Sequence, residues 1–263
     1  MKILKKKSLG QHFLSDKSAV AKIVSAACIT KDTCVLEIGP GGGALTESLY
    51  LLKPERLVLI EKDKRFYEEL SVKYPDAEVM NLDAAEVDLH ELLSNKNEEF
   101  VVISNLPYNV STVILEKLIS NKELFPRMVL MFQKEVAERI LARPNSYEYG
   151  RLSLLVEEFY EAKKSFALKP GSFSPPPKVE SMVVMFSRLK QPKVNIKDRV
   201  SYEKVLKLVF SQRRKMLRRS LRAILTEQQV SLLQTRTGIA LDKRPQDLYI
   251  EEFVSISESL SSI

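Results

Sequence analysis

Short apolar runs alternate with amphipathic segments through the first 190 residues of the chain. The apolar runs are rich in Val, Ile and Leu at nearly every position, which predicts strands that are buried on both faces. The predicted strands are CVLEIG (34–39), RLVLIE (56–61), AEVMN (77–81), FVVIS (100–104) and RMVLMF (127–132).

The segments between these strands repeat apolar residues every three or four positions, which predicts helices. Ser111 precedes one of these apolar repeats and is expected to cap its helix. Strands and helices that alternate at this spacing are typical of βαβ units, so we expect a mostly parallel sheet with helices on both faces. The predicted helices are ALTESLYLLK (44–53), KRFYEELSVKY (64–74) and STVILEKLIS (111–120).

The pattern changes after residue 170. The run GSFSPPPK (171–178) contains too much proline for a helix or a central strand, so we expect an ordered loop. It leads into a last predicted strand, VESMVVMFS (179–187), at or near an edge of the sheet.

Beyond this strand only helical patterns occur. The stretch QPKVNIKD (191–198) has the composition of a linker, so we predict one domain over residues 1–190 and a second, helical domain over 191–263. The predicted helices of the second domain are YEKVLKLVFSQ (202–212), RKMLRRSLRAIL (214–225), EQQVSLLQTRT (227–237) and EEFVSISESL (251–260).

The composition is that of an ordinary soluble protein, with 44% hydrophobic and 29% charged residues in 263. No run of 18 apolar residues occurs, and the N-terminal segment lacks the apolar region of a signal peptide. Cys28 and Cys34 have no metal-ligand spacing, so we expect two reduced, mostly buried thiols. These features predict a cytoplasmic protein that does not enter a membrane.

The net charge of +7 is unevenly distributed. The tail before Ser8 carries four lysines and no acid, and residues 191–263 hold 14 basic against 8 acidic side chains. The body between them is slightly acidic. Basic ends on such a body indicate a polyanionic partner that the two ends contact.

A glycine-rich turn follows the first predicted strand in VLEIGPGGGALT (35–46). Gly39, Gly41 and Ala44 match the pattern GxGxxG/A, in which glycines let the backbone turn sharply and approach a ligand. Alone, the pattern also fits a tight structural turn. Glu61 ends the next strand, where a carboxylate could accept hydrogen bonds from both ribose hydroxyls of a nucleoside, and Asp83 could accept from an exocyclic amine of adenine.

Two classes of ligand fit such a turn. A dinucleotide such as NAD brings a pyrophosphate, which needs backbone N–H groups at the start of the helix. S-adenosylmethionine has no phosphate and carries a sulfonium and an ammonium group. Pro40 removes one N–H, and Glu37, Glu61 and Asp83 bring carboxylates to the strand ends, so the sequence favours S-adenosylmethionine.

The stretch NLPYNV (105–110) follows the strand FVVIS, which places it beside the same ends of the sheet. Any one of its residues is more often structural, but together they suit methylation of an exocyclic amine. The oxygen of Asn105 and the carbonyl of Leu106 or Pro107 could bind both hydrogens of adenine N6. The lone pair of N6 would then point at the sulfonium methyl group, which favours in-line transfer. Proline fixes the turn, and the ring of Tyr108 could stack on a flipped-out base.

A specific combination of motifs extends over nearly the whole chain. These are LGQHFLSD (9–16), EIGPGGGALT (37–46), NLPYNVST (105–112), FQKEVAERI (132–140), YGRLS (149–153), FSPPPKVES (173–181) and FSQRRKMLRRSL (210–221). With these motifs the chain resembles the ribosomal RNA small-subunit methyltransferase A family of adenine dimethyltransferases.

The resemblance implies a Rossmann-like sheet with an antiparallel edge strand, a small helical C-terminal domain and S-adenosylmethionine as methyl donor, with no metal. It implies transfer of two methyl groups to N6 of each of two adjacent adenosines near the 3′ end of small-subunit rRNA, and a monomeric enzyme that acts on the small ribosomal subunit or its precursor. Many members have Asn at the position of His12, and Phe173 matches a second aromatic that stacks on the base. The implied cofactor contacts are His12, Leu14, Gly39, Glu61, Asp83 and Asn105.

A basic run marks the predicted helical domain, because residues 204–222 hold eight basic and no acidic side chains. Arg214, Arg218 and Arg222 recur at i+4 and are expected to share a helical face, with Leu217, Leu221 and Ile224 toward the core. Phosphate contacts would explain such a run, although a solvated face is the common alternative. The predicted RNA-binding residues are Arg213, Arg214, Lys215, Arg218, Arg219 and Arg222.

Three other functions remain open at this point. An NAD-dependent oxidoreductase would use the glycine turn, and a non-catalytic RNA-binding assembly factor would keep only the fold. A large-subunit rRNA adenine methyltransferase of the macrolide-resistance type shares the turn and the fold. The motifs FSPPPKVES and FSQRRKMLRRSL favour the small-subunit family over it.

Overall fold

A computed structural model describes residues 12–93 and 98–260 of the protein. The lysine-rich tail before Ser8 and the first residues of LGQHFLSD lie outside this range. The described chain forms two compact units, one up to Ala137 together with Tyr160–Arg188, the other with Glu138–Phe159 and the chain from Leu189 onward. The third change of unit, between Arg188 and Leu189, lies next to the predicted boundary at 190. The segment Glu138–Phe159, which the sequence assigned to the first domain, groups with the second unit.

The first unit contains a seven-stranded sheet and a separate two-stranded sheet. The order in the large sheet is β4-β3-β2-β5-β6-β9-β7, where β2 to β6 are parallel and β9 and β7 are antiparallel to their neighbours. The predicted mostly parallel sheet with an antiparallel edge is therefore confirmed. The strands are β1 (Phe13–Leu14), β2 (Cys34–Ile38), β3 (Arg56–Ile60), β4 (Glu78–Met80), β5 (Phe100–Asn105), β6 (Arg127–Gln133), β7 (Tyr160–Leu168), β8 (Phe173–Ser174) and β9 (Ser181–Arg188).

Strand β2 is central in the part of the sheet that positions the site. All five of its residues are buried, because β3 and β5 pair with it in parallel on either side and both faces of the sheet are covered. Glu37 lies opposite both Leu59 of β3 and Ile103 of β5. This register brings the carboxyl ends of β2, β3 and β5 to the same edge of the sheet.

The predicted helices of the first unit are present, with one local difference. Ser111 does not cap its helix. Val110 is the N-cap, and buried Ser111 is the first helical residue, with its hydroxyl donating to the carbonyl of Tyr108 at 3.3 Å. The helices that begin in this unit are α1 (Lys17–Ala27), α2 (Thr46–Leu51), α3 (Lys64–Lys73), α4 (Leu89–Leu93), α5 (Ser111–Ser120) and α6 (Lys134–Leu141), which continues into the second unit.

Strand β7 has no counterpart among the predicted strands. It is one of the two edge strands of the large sheet, and a register shift lies between Lys164 and Phe166. Exposed lysines and an irregular register are common on edge strands, since both discourage pairing with another chain. Strand β9 pairs between β6 and β7, so the prediction that VESMVVMFS lies at or near an edge is confirmed.

The second unit is helical and has its own apolar core, which includes Tyr202, Leu217, Leu221 and Phe253. The predicted helix over 214–225 is wrong in extent, because only Leu217–Leu221 is helical. Its first N–H groups bond outside the helix, from Leu217 to the carbonyl of Lys243 and from Arg218 to that of Leu241. The helices are α7 (Arg151–Phe159), α8 (Arg199–Ser211), α9 (Leu217–Leu221), α10 (Glu227–Thr237) and α11 (Ile250–Leu260).

Both cysteines are free, but only Cys34 is buried, so the expectation of two buried thiols is wrong for Cys28. Cys28 ends α1 in the left-handed conformation, which puts it at the surface. None of the helices in the described part of the chain is long and apolar enough to pass through a membrane.

Candidate active site

A cavity of about 250 Å³ opens at the carboxyl ends of β2, β3 and β5. Five segments of the first unit line it, and they are far apart in the sequence. They bring together every cofactor-contact residue that the resemblance implies, together with the whole NLPYNV stretch. The lining segments are 12–14, 37–45 except residue 43, 60–63, 82–84 and 105–110, with Ile114.

The glycine turn needs its glycines. Gly39, Gly41 and Gly43 have positive φ values of 66°, 53° and 78°, a region that side chains with a Cβ rarely adopt. A Cβ on Gly41 would lie 2.7 Å from Cε1 of Phe13, and one on Gly39 would lie 3.5 Å from Cδ of Pro107. The turn is therefore packed directly against two other lining segments.

Glu61 fixes the geometry of the turn, because its carboxylate accepts two backbone N–H groups. Oε2 accepts from Gly41 at 2.9 Å and Oε1 from Asp63 at 2.7 Å. Burial raises the pKa of Glu61 above its ordinary value, while these N–H bonds act in the opposite direction. Each carboxylate oxygen has a further lone pair, so both ribose hydroxyls of a nucleoside can still be bound.

Asp83 also lies at the cavity, with both of its oxygens occupied. Oδ1 accepts from the N–H of Ala85 at 2.9 Å, and Oδ2 accepts from Nζ of Lys62 at 2.5 Å. Burial acts to raise the pKa of Asp83, but the bonds from Lys62 and Ala85 outweigh it, and the pKa is lowered. An adenine amine would therefore meet an ionised carboxylate that already has a cationic partner.

The charge of the site differs from the sequence-based expectation of three carboxylates. Glu37 is fully enclosed, and burial raises its pKa to about 8, opposed by the hydroxyl of Thr46, which donates to Oε2 at 2.7 Å. At neutral pH this carboxyl is therefore mainly protonated. The other carboxyl groups that line the cavity are those of Glu61, Asp83 and Asp63, the last of which is paired with Arg65.

The NLPY turn (residues 105–108) contains a side-chain amide whose orientation is fixed, that of Asn105. Asn105 ends β5, and its Nδ2 donates to the carbonyl of His12 at 3.0 Å, which directs Oδ1 elsewhere as an acceptor. Leu106 is buried, whereas Pro107 and Tyr108 are partly exposed. The hydroxyl of Tyr108 is 2.6 Å from Oγ of Ser181, the first residue of β9.

His12 contacts the same turn, although it lies 93 residues before Asn105 in the sequence. Its ring stacks on that of Tyr108, with 5.6 Å between the centroids and 28° between the planes. Its Nδ1 lies 2.8 Å from the carbonyl oxygen of Pro175. His12 therefore connects the NLPY turn with the loop that contains the three prolines.

Phe173 is the one predicted catalytic residue that the structure does not bring to the cavity. Its side chain is 3% exposed and packs in the main core, and the ring is absent from the cavity lining. The reason is local, because β8 pairs with β1 in the register Leu14 to Phe173, which turns Ser174 outward and Phe173 inward. The ring of Phe173 is enclosed there and is not placed to stack on a base in this conformation.

The basic residues lie in the second unit, and their arrangement corrects the sequence-based interpretation. Arg214 is in a turn and Ile224 is 58% exposed, so Arg214, Arg218 and Arg222 do not share one helical face and Ile224 does not enter the core. Arg218 and Arg222 both pair with Glu227 of α10.

The other four basic residues differ in their partners. Arg213 donates to the carbonyl of Tyr147 and lies over its ring. Arg214, Lys215 and Arg219 are exposed and make no ion pair within the described residues.

Three features of the site were not found from the sequence. Lys62 directly follows Glu61, but nothing in its position indicates that it pairs with Asp83. Ser181 and Phe13 act through contacts with residues more than 25 positions away.

Among the described residues, no group of three or more His, Cys, Asp or Glu side chains could hold a metal ion.

Comparison with known proteins gives a consistent result over the whole chain. The family described as "Ribosomal RNA adenine dimethylase" matches residues 3–262. The chain is 40% identical over 257 residues to the ribosomal RNA small subunit methyltransferase A of Syntrophotalea carbinolica, with 96% of each chain covered. It is 37% identical to the protein of the same name from Geobacter metallireducens, covering 98% of this chain and 96% of the relative.

Two solved structures are also similar to this chain. A dimethyladenosine transferase from Plasmodium falciparum is 28% identical, with a TM-score of 0.75 over 93% of this chain and 96% of that chain. The 23S rRNA methyltransferase ErmE is 23% identical, with a TM-score of 0.67 over 95% and 99% of the two chains, and this likeness concerns the fold.

Proposed function

The chain belongs to the ribosomal RNA adenine dimethylase family, and we propose that it dimethylates N6 of two adjacent adenosines near the 3′ end of small-subunit rRNA. It is an rRNA adenine methyltransferase, and S-adenosylmethionine is the methyl donor. The substrate particle is the small ribosomal subunit or its precursor, and the enzyme acts as a monomer in the cytoplasm.

One observation carries this proposal. The glycine turn and the NLPY turn line the same cavity. They also lie close to each other, because a Cβ on Gly39 would be 3.5 Å from Cδ of Pro107. A methyl donor on the glycine side and an amine on the NLPY side would then be neighbours. Methyl transfer needs this alignment more than it needs a strong base, because the reaction is an in-line displacement.

The lining residues fit S-adenosylmethionine. Glu61 retains lone pairs for the ribose hydroxyls, and Asp83 has an ionised carboxylate for the adenine amine. Pro40 in the turn offers no N–H to a pyrophosphate, whereas the carboxyl groups of Glu61 and Asp83 at the strand ends suit a ligand without phosphate. His12 and Leu14 line the cavity beside the glycines.

The NLPY turn would hold the amine. Asn105 Oδ1 and the carbonyl of Leu106 or Pro107 accept the two hydrogens of N6, so that its lone pair points at the methyl carbon. The N–C bond forms as the C–S bond of the donor breaks, and the proton then leaves N6 for solvent. Tyr108 stacks on the flipped-out adenine and excludes water from one side.

The basic residues of the second unit would position the RNA. Arg214, Lys215 and Arg219 are exposed without acidic partners in the described chain, which suits contacts with phosphates. Arg213, Arg218 and Arg222 would contribute alongside them. The lysines before Ser8 supply further positive charge.

Incubation with labelled S-adenosylmethionine and small subunits that lack the modification tests the proposal. Nucleoside analysis should find N6-dimethyladenosine in the small-subunit rRNA, and large subunits in a parallel reaction should stay unlabelled. Label in large-subunit rRNA would support the macrolide-resistance type. Binding of RNA without any transfer would support an assembly factor, and binding of NAD in place of S-adenosylmethionine would support an oxidoreductase.

A further inference from the structure

The imidazole of His12 makes two separate contacts, and both are with the base-binding side of the cavity. Its ring stacks on Tyr108, and Nδ1 lies 2.8 Å from the carbonyl oxygen of Pro175. No hydrogen bond joins the ring to the glycine turn, Glu61 or Asp83 within the described residues. The side chain is therefore committed to the side of the cavity where the target adenine would lie.

The contact with Pro175 defines the proton on the ring. A carbonyl oxygen only accepts hydrogen bonds, so Nδ1 must carry the hydrogen. This donor fixes the rotation of the imidazole about its χ2 bond and so the plane that it presents to Tyr108. Nε2 takes no part in the contact.

Tyr108 is contacted at its hydroxyl group and on one face of its ring. Its hydroxyl is 2.6 Å from Oγ of Ser181, and the imidazole of His12 covers one of its two faces. The backbone of His12 also accepts from Asn105 at 3.0 Å, so one residue contacts the amide and the aromatic ring of the NLPY turn. An adenine that stacks on Tyr108 would then use the face opposite His12.

We propose that His12 is a positioning residue that fixes the plane of Tyr108 and selects the face on which the target adenine stacks. This inference rests on the proposed function. It assigns the His12 side chain to recognition of the RNA base, while the His12 backbone keeps its place beside the cofactor and Asn105.

The two contacts can be separated by substitution. His12→Phe keeps an aromatic ring for Tyr108 and loses the donor to Pro175. His12→Asn keeps an N–H donor and loses the ring, and His12→Ala loses both. His90, the other histidine of the chain, is exposed on α4, and His90→Ala is the matched control.

The measurements are kcat and KM with unmethylated small subunits, and the Kd of S-adenosylhomocysteine by calorimetry. His12→Ala should lower kcat/KM for the subunit by about 3- to 10-fold, the value of one aromatic pair, with the Kd of S-adenosylhomocysteine within about twofold of the wild type. His12→Phe should recover most of this loss and His12→Asn should recover less, with His90→Ala at the wild-type value.

A double-mutant cycle tests whether His12 acts through Tyr108. The losses from His12→Ala and Tyr108→Ala should be less than additive, because the second substitution removes the group that the first one positions. Full additivity would overturn the proposal, as would a rise in the Kd of S-adenosylhomocysteine with kcat unchanged at saturating cofactor, which would make the side chain a cofactor contact. If the wild type itself forms no dimethyladenosine, the proposed function fails independently of these variants.

Discussion

The side-chain amide of Asn105 donates to the backbone carbonyl of His12 at 3.0 Å, although 93 residues separate the two in the sequence. The bond determines which end of the amide faces the carbonyl and leaves Oδ1 as the acceptor. It also ties the end of β5 to the segment that begins just before β1. The NLPY turn thus has a fixed acceptor before any substrate arrives, which is the arrangement that alignment of an amine requires.

Asn105→Ala should lower methyl transfer by about 10²-fold, because the amine loses one of its two acceptors and its alignment. Filter binding should find RNA affinity unchanged. Asn105→Asp makes a sharper comparison, since aspartate offers two acceptor oxygens but cannot donate to the carbonyl of His12. We expect this variant to be inactive as well. An active Asn105→Asp enzyme would show that a fixed amide is unnecessary, and an equal loss of RNA binding in Asn105→Ala would indicate a structural role.

Gly41→Ala should weaken binding of S-adenosylhomocysteine and lower the Tm. The new Cβ would lie 2.7 Å from Cε1 of Phe13, and φ is 53°. The left-handed backbone alone costs about 1–2 kcal/mol for a residue with a Cβ. Gly171→Ala is the matched control, because a Cβ there meets nothing within 4 Å and the residue lies outside the cavity lining. Calorimetry should find cofactor affinity kept in Gly171→Ala, and equal losses in both variants would contradict the steric explanation.

Glu37 should make the stability of the first unit depend on pH. Its pKa is about 8 in the folded protein against an ordinary value of 4.5. Between these values the folded state binds more protons than the unfolded state, so stability falls as pH rises through the window. Glu37→Gln removes this group, and its Tm relative to that of the wild type should rise from about pH 5 to about pH 8.5. A difference that stays constant over this range would show that Glu37 does not titrate there.

The ion pair with Lys62 should weaken the hydrogen bond that Asp83 makes to an adenine amine. Nζ of Lys62 occupies Oδ2 at 2.5 Å, while Oδ1 remains fixed by Ala85. Lys62→Met should therefore tighten binding of S-adenosylhomocysteine by about 2- to 5-fold, the range expected for one exposed ion pair. Lys64→Met, in the exposed first turn of α3, is the control. Weaker binding in Lys62→Met would mean that the lysine holds the carboxylate in place.

Much of the fold could be predicted from local pattern. The strands β2, β3 and β6 are continuous apolar runs that end in turn residues, and the predictions for them lie within one residue of the observed ends. Strand β7 was missed because an edge strand with Lys163 and Lys164 has no apolar pattern. An edge position follows from the topology of the sheet and is not written in the local sequence.

The site shows the same division. The segments that line the cavity follow from their places at the strand ends, since ligands of open α/β sheets bind there. Contacts over long sequence distances could not be predicted, as in the bond from Lys62 to Asp83 and the stacking of His12 on Tyr108. Burial decided the other differences, because it takes Phe173 into the core and keeps the carboxyl of Glu37 protonated.

Glu227 divides the basic run into paired and unpaired arginines. Arg218 and Arg222 both pair with it, which a sequence window without acids in 204–222 could not reveal. Glu227→Gln should remove the carboxylate that neutralises both guanidinium groups, while Arg218 keeps its bond to Oε1 of Gln234 at 2.9 Å, and should strengthen RNA binding. The salt dependence of the affinity should become steeper at the same time. Unchanged binding would place both arginines away from the RNA.

Arg214→Ala and Arg219→Ala test the unpaired part of the run. Each exposed arginine that contacts a phosphate releases about one counterion, so each substitution should reduce the slope of log K against log salt by about one. The loss of affinity should be similar for specific rRNA and for unrelated RNA, because phosphate contacts carry no sequence information. Lys31→Ala removes an exposed lysine that makes no ion pair within the described residues, and it serves as a control for net charge. An unchanged slope in both variants would assign this run to a solvated surface, whereas a loss confined to the specific rRNA would mean that the arginines recognise bases.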